Sequence, residues 1–502
     1  MAVNAEHEKN IDNDAWRQYQ LLKSTTNPNH PYNKFSTGNV TTLRDAPLAM
    51  GIDVHAELLR FYSQNYVSTN MRLVVLGNDT LDVLETMAAE MFVQVPNPAP
   101  FVPAGRPSLY LPGGNLGKYY LITPVSDLDE LAIFWPLPAV LEDLLSNPIG
   151  GYISLLLGYE GSGSLLAALK VQGFATGLSA GLSEDDTDFA FMSVFIALTP
   201  AGVQQRDHVV SLVYGYLKLL GSTPPQQWIY DENKQVDEVG WLFPDEPRPS
   251  SLVSSLASFL HVTIDPTEIL LEPNRTLFNP SLISGLLQAL TPLNSVVFVT
   301  SKSLALPQPM YEHWYGTAYS SNHFTQAQIT LWTAQADPAQ FALPPPNPYL
   351  VTDTTIIAPP PSSVSPFPIL VNTTASPVVW FKWGTFGTPK ATIRIHLISN
   401  RVFESAASYV AATLYLNGVI DAVTDVRYQA SVVGLSVSFG VTRSGIDLSF
   451  YGFSEKLPSL AYTVIDALAK GSLIQDNFSL IVDELNSTLN QALFTDAWQQ
   501  AK

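Results

Sequence analysis

Apolar and polar positions along the chain alternate between helical and strand periods. From Ala2 to Thr25 there is no proline or glycine, and Asn27-Pro28 then stops the run, which predicts one helix of about six turns. On it Glu6, Asn10, Asn13 and Arg17 recur at helical spacing as a polar stripe, while Trp16 and Tyr19 lie one turn apart. Asp53 is placed to cap a second helix through Tyr66, with Leu58, Leu59, Phe61 and Tyr62 as its buried side. Met71 to Gly77 reads as a buried strand introduced by Asn70, and Leu81 to Phe92 as a helix.

Prolines then divide the pattern. The non-periodic stretch 96–116 and the Pro-rich stretch 337–376, which holds Pro344-Pro345-Pro346 and Pro359-Pro360-Pro361, read as linkers. Between them, 117–336 runs from strands at Lys118 to Thr123 and Leu131 to Trp135, through two helices, to strands at Phe174 to Leu182 and Phe189 to Leu198. A long helix capped by Thr199 follows, then further helices and a last strand, Ser295 to Thr300. After the second linker, 377–502 repeats the start of that order, with strands Val378 to Trp383, Thr392 to Leu397, Ala430 to Phe439 and Gly445 to Phe450 among helices. Asn70-Met71-Arg72-Leu73-Val74-Val75 also parallels Asn294-Ser295-Val296-Val297-Phe298-Val299. The expected fold is α+β, in successive homologous units that each pack a mainly antiparallel sheet against helices.

Composition narrows the function. At 502 residues the chain exceeds one core, and 46% hydrophobic with 14% charged residues marks it as globular. Its formal charge of −19 disfavours nucleic acid and anionic membrane and suits neutral or cationic peptide partners. The absence of cysteine excludes disulfides, thiolate zinc sites and cysteine catalysis. With no apolar run of membrane-spanning length and no basic-then-apolar leader before Arg17, a soluble, cytoplasmic protein is expected.

The runs A-V-N-A-E-H-E-K-N-I-D-N-D-A-W from Ala2, N-P-N-H-P-Y-N-K-F-S-T-G-N from Asn27 and G-I-D-V-H-A-E-L-L-R-F-Y from Gly51 resemble the insulinase (pitrilysin) family of zinc metallopeptidases. The resemblance implies homologous units arranged as half-shells around a chamber, with peptides as substrates and zinc as cofactor. It places 1–95 as the later part of the first, catalytic unit, 117–336 as a complete second unit and 377–502 as the early part of a third. Glu6 matches the family's zinc-ligating glutamate on a helix after the inverted H-x-x-E-H motif, and Trp16, Tyr19 and Thr37 match residues lining the pocket beside the scissile bond. None of the eight histidines begins H-x-x-E-H, so two histidine ligands and the general base are missing from this sequence. Two functions follow: part of a zinc metalloendopeptidase that does not hydrolyse peptides by itself, or a non-catalytic peptide-binding or scaffold subunit, as a homo- or hetero-oligomer with a homologous chain.

Gly158-Tyr159-Glu160-Gly161-Ser162-Gly163 lacks the Gly-Lys-Ser/Thr ending of a phosphate loop. The resemblance makes it, with the strand Leu178-Ser179-Ala180-Gly181, an exosite that grips a peptide N-terminus. An edge strand offers free backbone groups to an extended peptide, and small residues let it approach. Gly158, Glu160, Leu178, Ser179, Ala180 and Gly181 are its candidates, and a tight helix-strand turn is the competing reading. Gly177 to Gly181 also fits G-x-S-x-G, but its flanks read as continuing strand rather than a nucleophile elbow.

Overall fold

Phe189 to Leu198 is apolar on both of its faces, and a strand of that kind needs cover from two sides. The computed structural model describes residues 2–491 apart from 100–104, 139–148, 184–185, 187, 263–266, 268, 271–277, 335–339, 358–364, 373–376 and 472–477, so Pro359-Pro360-Pro361 lies outside the described residues. Helices α1 (Ala2–Asn10), α2 (Asp14–Thr25), α3 (Val54–Asn65) and α4 (Leu81–Phe92) come first. Strands β1 (Lys118–Ile122) and β2 (Glu130–Pro138), helices α5 (Ile149–Leu157) and α6 (Leu165–Val171), and strands β3 (Ala175–Ser183) and β4 (Phe189–Leu198) follow. After a short turn come α7 (Arg206–Ser222), α8 (Gln227–Leu242), α9 (Pro249–Val262), α10 (Pro280–Ala289), β5 (Val296–Thr300), β6 (Met310–Tyr311), β7 (Ala318–His323) and α11 (Gln326–Thr333).

These strands form one seven-stranded sheet in the order β3-β4-β2-β5-β1-β7-β6, antiparallel except where β1 runs beside β5. Strand alternation sends Ile133, Trp135, Val297 and Val299 to one side, where they pack with Val213, Tyr216 and Leu220 of α7 and with Ile283 of α10. Phe134, Phe191, Val296 and Phe298 point to the other side and meet Leu21 and Leu22 of α2 and Tyr32. The N-terminal segment is therefore the second cover of this sheet.

The rest of the chain adds β8 (Ile369–Asn372), β9 (Val379–Phe381), β10 (Lys390–Ile398), α12 (Ala406–Ala422), α13 (Thr424–Val432), β11 (Ser436–Thr442), β12 (Gly445–Phe453), α14 (Leu457–Lys470) and α15 (Phe478–Gln491). The antiparallel sheet β10-β12-β11 has its own core, in which Leu448 and Phe450 meet Val419, Leu460 and Val464. β8 and β9 pair as a separate hairpin. The mixed helices and mainly antiparallel sheets are the α+β arrangement expected.

Several elements differ from expectation. The single N-terminal helix is two, because the Asn13 side chain accepts from the Trp16 main chain and caps a new helix. Arg17 leaves the polar stripe and is buried, donating to the carbonyls of Ile11 (2.9 Å) and Tyr315 (2.7 Å). The stretch from Ala430 is not strand at its start: α13 occupies it and ends at Gly434, whose φ of +77° is the left-handed stop that glycine adopts without penalty. Residues 71–77 form neither helix nor strand and join no sheet among the described residues. Leu58, Leu59, Phe61 and Tyr62 of α3 face solvent rather than a core.

Candidate functional site

The N-terminal segment is fixed from two directions. The Asp14 carboxylate accepts from the Val125 and Ser126 main-chain N–H groups (both 2.8 Å) and from the Ser126 hydroxyl (2.5 Å), tying α2 to the loop between β1 and β2. Tyr315, in the turn between β6 and β7, is the second anchor. The His7 ring lies edge-on to it at 4.9 Å, the Thr37 hydroxyl stands 3.4 Å from its hydroxyl, and Arg17 takes its carbonyl. Glu312 shapes that turn by accepting from Trp314 and Tyr315 N–H at 2.9 and 2.7 Å. Sequence reasoning passed over this turn, although an acid two and three residues before Trp314-Tyr315-Gly316 is a readable signal for it.

Of the four residues singled out here, Trp16 and Tyr19 come together with edge-on rings 6.2 Å apart, and Tyr19 continues to Tyr32 at 6.4 Å. Thr37 joins the Tyr315 cluster instead. Glu6 stands exposed on α1 next to His7, whose ring is packed between Phe35 and Tyr315 with its Nδ1 buried and unpartnered. A zinc site needs three or four protein donors at bonding distance. Among the described residues no three His, Asp or Glu side chains converge in that way, so the donors of this chain do not by themselves fit zinc.

The second candidate site lies at the far edge of the seven-stranded sheet. β3 pairs with β4 alone among the described strands, which leaves its other edge without a strand partner. A register shift between Ala175 and Gly177 marks a bulge near its start. Along it Leu178 is buried, Ser179 is exposed, and Ala180 and Gly181 are half-buried. Ser179 sits mid-strand opposite Phe195, so the G-x-S-x-G match is strand and not a nucleophile elbow. The chain passes close by at Gly158, where an added Cβ would lie 3.0 Å from the Ser154 carbonyl oxygen and 3.7 and 3.8 Å from the Ala180 oxygen and nitrogen.

Glu160 lies two residues further on and is half-buried. Burial pushes its carboxyl up from the usual range; Lys170 and Arg427 pull it down and Asp425 raises it further. Two of these neighbours, Asp425 and Arg427, belong to α13, whose last residues stand where the sequence predicts the start of a strand at Ala430. α13 closes on the glycine-rich turn, with the Tyr428 ring 5.4 Å from Tyr159, Ser162 N–H donating to Asp425 at 3.0 Å, and Lys170 paired with Asp421 of α12 at 3.1 Å. The candidate exosite therefore adjoins the seam between the two sheets.

A known-family description, "Middle or third domain of peptidase M16", matches residues 241–502, more than half of the chain. The chain belongs to the insulinase family. A second description from the same family, "Peptidase M16 inactive domain", matches residues 54–236. Human insulin-degrading enzyme is 34% identical over 494 residues, covering 97% of this chain and 48% of that protein. The A-factor-processing enzyme of Saccharomyces cerevisiae is 34% identical over 99% of this chain and 48% of its own length. The peroxisomal insulin-degrading enzyme-like 1 of Arabidopsis thaliana is 31% identical over 100% and 51%. This insulinase-family chain thus spans about half the length of the curated relatives it matches. Its fold matches the crystal structure of pitrilysin with a TM-score of 0.74 at 24% identity, over 100% of this chain and 53% of that one. Among the described residues no single helix is long and apolar enough to cross a membrane.

Proposed function

We propose that this insulinase-family chain is the peptide-holding portion of an insulin-degrading-enzyme-like zinc metalloendopeptidase, and that alone it binds peptides without hydrolysing them. The observation carrying this reading is that β3 ends the sheet with no second strand partner among the described strands, with Ser179, Ala180 and Gly181 along it and Gly158 and Glu160 beside it. An extended peptide laid along that edge gains main-chain hydrogen bonds whatever its sequence, and the half-buried Glu160 gives its cationic N-terminus a partner. In this reading 1–95, 117–336 and 377–502 are three family units joined by linkers. Glu6 offers one zinc ligand, and Trp16, Tyr19 and Thr37 form the pocket wall beside it. The remaining ligands and the general base would come from residues outside this sequence, and zinc enters only as a jointly held cofactor.

The test is fluorescence anisotropy with a labelled extended peptide, free and N-terminally acetylated. Binding is expected to withstand chelator, to weaken on acetylation, and to be lost in Gly181→Val, which fills the approach to the strand edge. Binding that ignores both changes overturns the exosite assignment. Peptide cleavage abolished by chelator and by Glu6→Gln overturns the absence of hydrolysis. A second reading is a non-catalytic peptide-binding or scaffold subunit that pairs with an active homologue. Recovery of a stoichiometric complex with a chain bearing H-x-x-E-H, active only when mixed, distinguishes it from an independent peptide-binding scaffold.

A further inference from the structure

Helix α8 serves two cores. Near its start Ile229 and Tyr230 pack into the core of the larger sheet, and towards its end Val236 and Val239, with Phe243 beyond, pack against the core of the smaller one. Where the helix crosses from one to the other a gap remains, walled by α8, by the end of α5, by the Pro344-Pro345 stretch of the second linker and by α13. Proline stiffens the linker wall and offers it no N–H. The walls are tied to one another: the Gln235 side-chain amide donates to the Val351 carbonyl and the Asn347 amide to the Gln429 carbonyl, both at 2.7 Å, while the Tyr428 hydroxyl reaches the Leu155 carbonyl. The gap is thus bounded by contacts within the chain and not by a free edge. Counted with its mouth it holds about 460 Å³ of empty space, of which about 40 Å³ admits the centre of a water molecule, so its occupant must be small.

The lining is mainly apolar, with Trp228, Val236, Leu350 and Val432 half-buried around it. Its amides are engaged: the Asn347 side-chain oxygen accepts from the Tyr349 N–H at 2.9 Å, and the Gln429 side chain donates to the Tyr159 hydroxyl at 3.4 Å. Glu232 differs from them. Half-buried on α8, its carboxylate accepts from the main-chain N–H of Asn347 at 3.2 and 3.4 Å, long contacts shared between its two oxygens. Burial pushes this carboxyl up and the Asn347 N–H pulls it down, with no cation acting on it among the described residues. Glu160, next to Tyr159 of the same lining, has both Lys170 and Arg427 acting on it. A carboxylate in mainly apolar surroundings, with most of its acceptor capacity unused, favours a cation brought by a ligand.

We propose that the gap between α8, the second linker and α13 binds a small primary amine bearing one apolar ring, its ammonium donating to the Glu232 carboxylate and its ring lying against Trp228, Val236, Leu350 and Val432. The amine supplies the counter-charge that Glu232 lacks, and the ring fills space that water would otherwise occupy against apolar walls. A neutral molecule of the same shape gains only the second of these, and an acid of that shape meets the carboxylate as a like charge. The proposal does not rest on the peptide-holding reading, since its anchor is on α8 and not on β3 or the glycine-rich turn.

Isothermal titration of the full 502-residue chain with phenethylamine tests it, with phenethyl alcohol and phenylacetate as the neutral and anionic counterparts on the same ring. Phenethylamine should bind one to one, and Glu232→Gln, which keeps the size and shape of the side chain, should weaken it about tenfold or more. The alcohol should bind wild type no better than the amine binds Glu232→Gln, and phenylacetate should not bind. Hydrogen exchange with the amine present should show added protection in α8 and α13. An amine also suits Glu160, so Glu160→Gln and Gly181→Val separate the two sites: both should leave the affinity for phenethylamine unchanged, whatever they do to peptide binding at β3. No binding to wild type, equal affinity in Glu232→Gln, an alcohol that binds as tightly as the amine, or a loss that follows Glu160→Gln instead would each overturn the proposal.

Discussion

Asp14 is where a single side chain holds the N-terminal helices on the sheet. Its carboxylate receives three hydrogen bonds from Val125 and Ser126, all between 2.5 and 2.8 Å, and is 8% exposed. Asp14→Ala removes the acceptor and strands two main-chain N–H groups, at about 1–3 kcal/mol each. The Ser126 hydroxyl can turn elsewhere, and the loop borders solvent, so the lower half of the range applies and the total is about 2–4 kcal/mol. Asp14→Asn keeps one acceptor oxygen but no charge and should cost about 1–2 kcal/mol. Hydrogen exchange by mass spectrometry reads both effects. Protection should fall at 125–126 and across α2 in Asp14→Ala, less so in Asp14→Asn, while β11 and β12 are unchanged. Loss spread evenly over both sheets, or the same loss in both variants, would refute the view that this carboxylate is a local clamp.

Two further outcomes follow from equally specific contacts. Burial pushes the Glu455 carboxyl up, but the Asp353 and Thr352 N–H groups, the Thr352 hydroxyl and Lys456 together outweigh it and hold the group at about 2, below its ordinary value of 4.5. A depressed acid stabilises the fold above its unfolded pKa, so this contribution is complete above about 4.5 and disappears as pH falls towards about 2; unfolding curves of Glu455→Gln should converge with wild type across that window and diverge above it. Gly163 has a φ of +80° and an added Cβ would meet that of Ala342 at 2.8 Å, so Gly163→Ala should lower stability by about 1–3 kcal/mol and weaken peptide binding at β3 more than Gly221→Ala, where the added carbon meets nothing; thermal melts and anisotropy in parallel would show it, and equal effects would count against the turn as a support for the strand.

The sequence carried the strands well wherever both flanks were present, since β2, β4 and β5 combine long apolar runs with clear stops. It misjudged α3 and residues 71–77 for a physical reason. Periodicity states which side chains seek cover and not where the cover is, so Leu58, Phe61 and Val75 read as core and stand exposed. α13 was lost because Thr424 to Val432 mixes β-branched and polar residues, and only Gly434 announces its end. Of the candidate site residues, Trp16 with Tyr19, and Gly158 with Ala180, are brought together; the anchors Asp14 and Arg17 are unreadable because each side chain acts on main-chain atoms distant in sequence, and the role of Tyr315 because its partners His7, Arg17 and Thr37 are about 280 to 310 residues away.

The position of the glycine-rich turn explains why small residues gather there. The two sheets have their own cores, and what joins them near β3 combines the Tyr159 and Tyr428 rings with polar links: Lys170 with Asp421, Ser162 with Asp425, Tyr428 donating to the Leu155 carbonyl at 3.3 Å. The turn at Gly158 must therefore touch α13 on one side and the main chain of Ala180 on the other without side-chain bulk. Glu160 lies at the same junction, with Lys170 from the first sheet's helices and Arg427 from the second acting on its carboxyl together. The charge environment of Glu160 thus depends on how α13 packs against the turn beside β3, which ties the seam to the proposed peptide site.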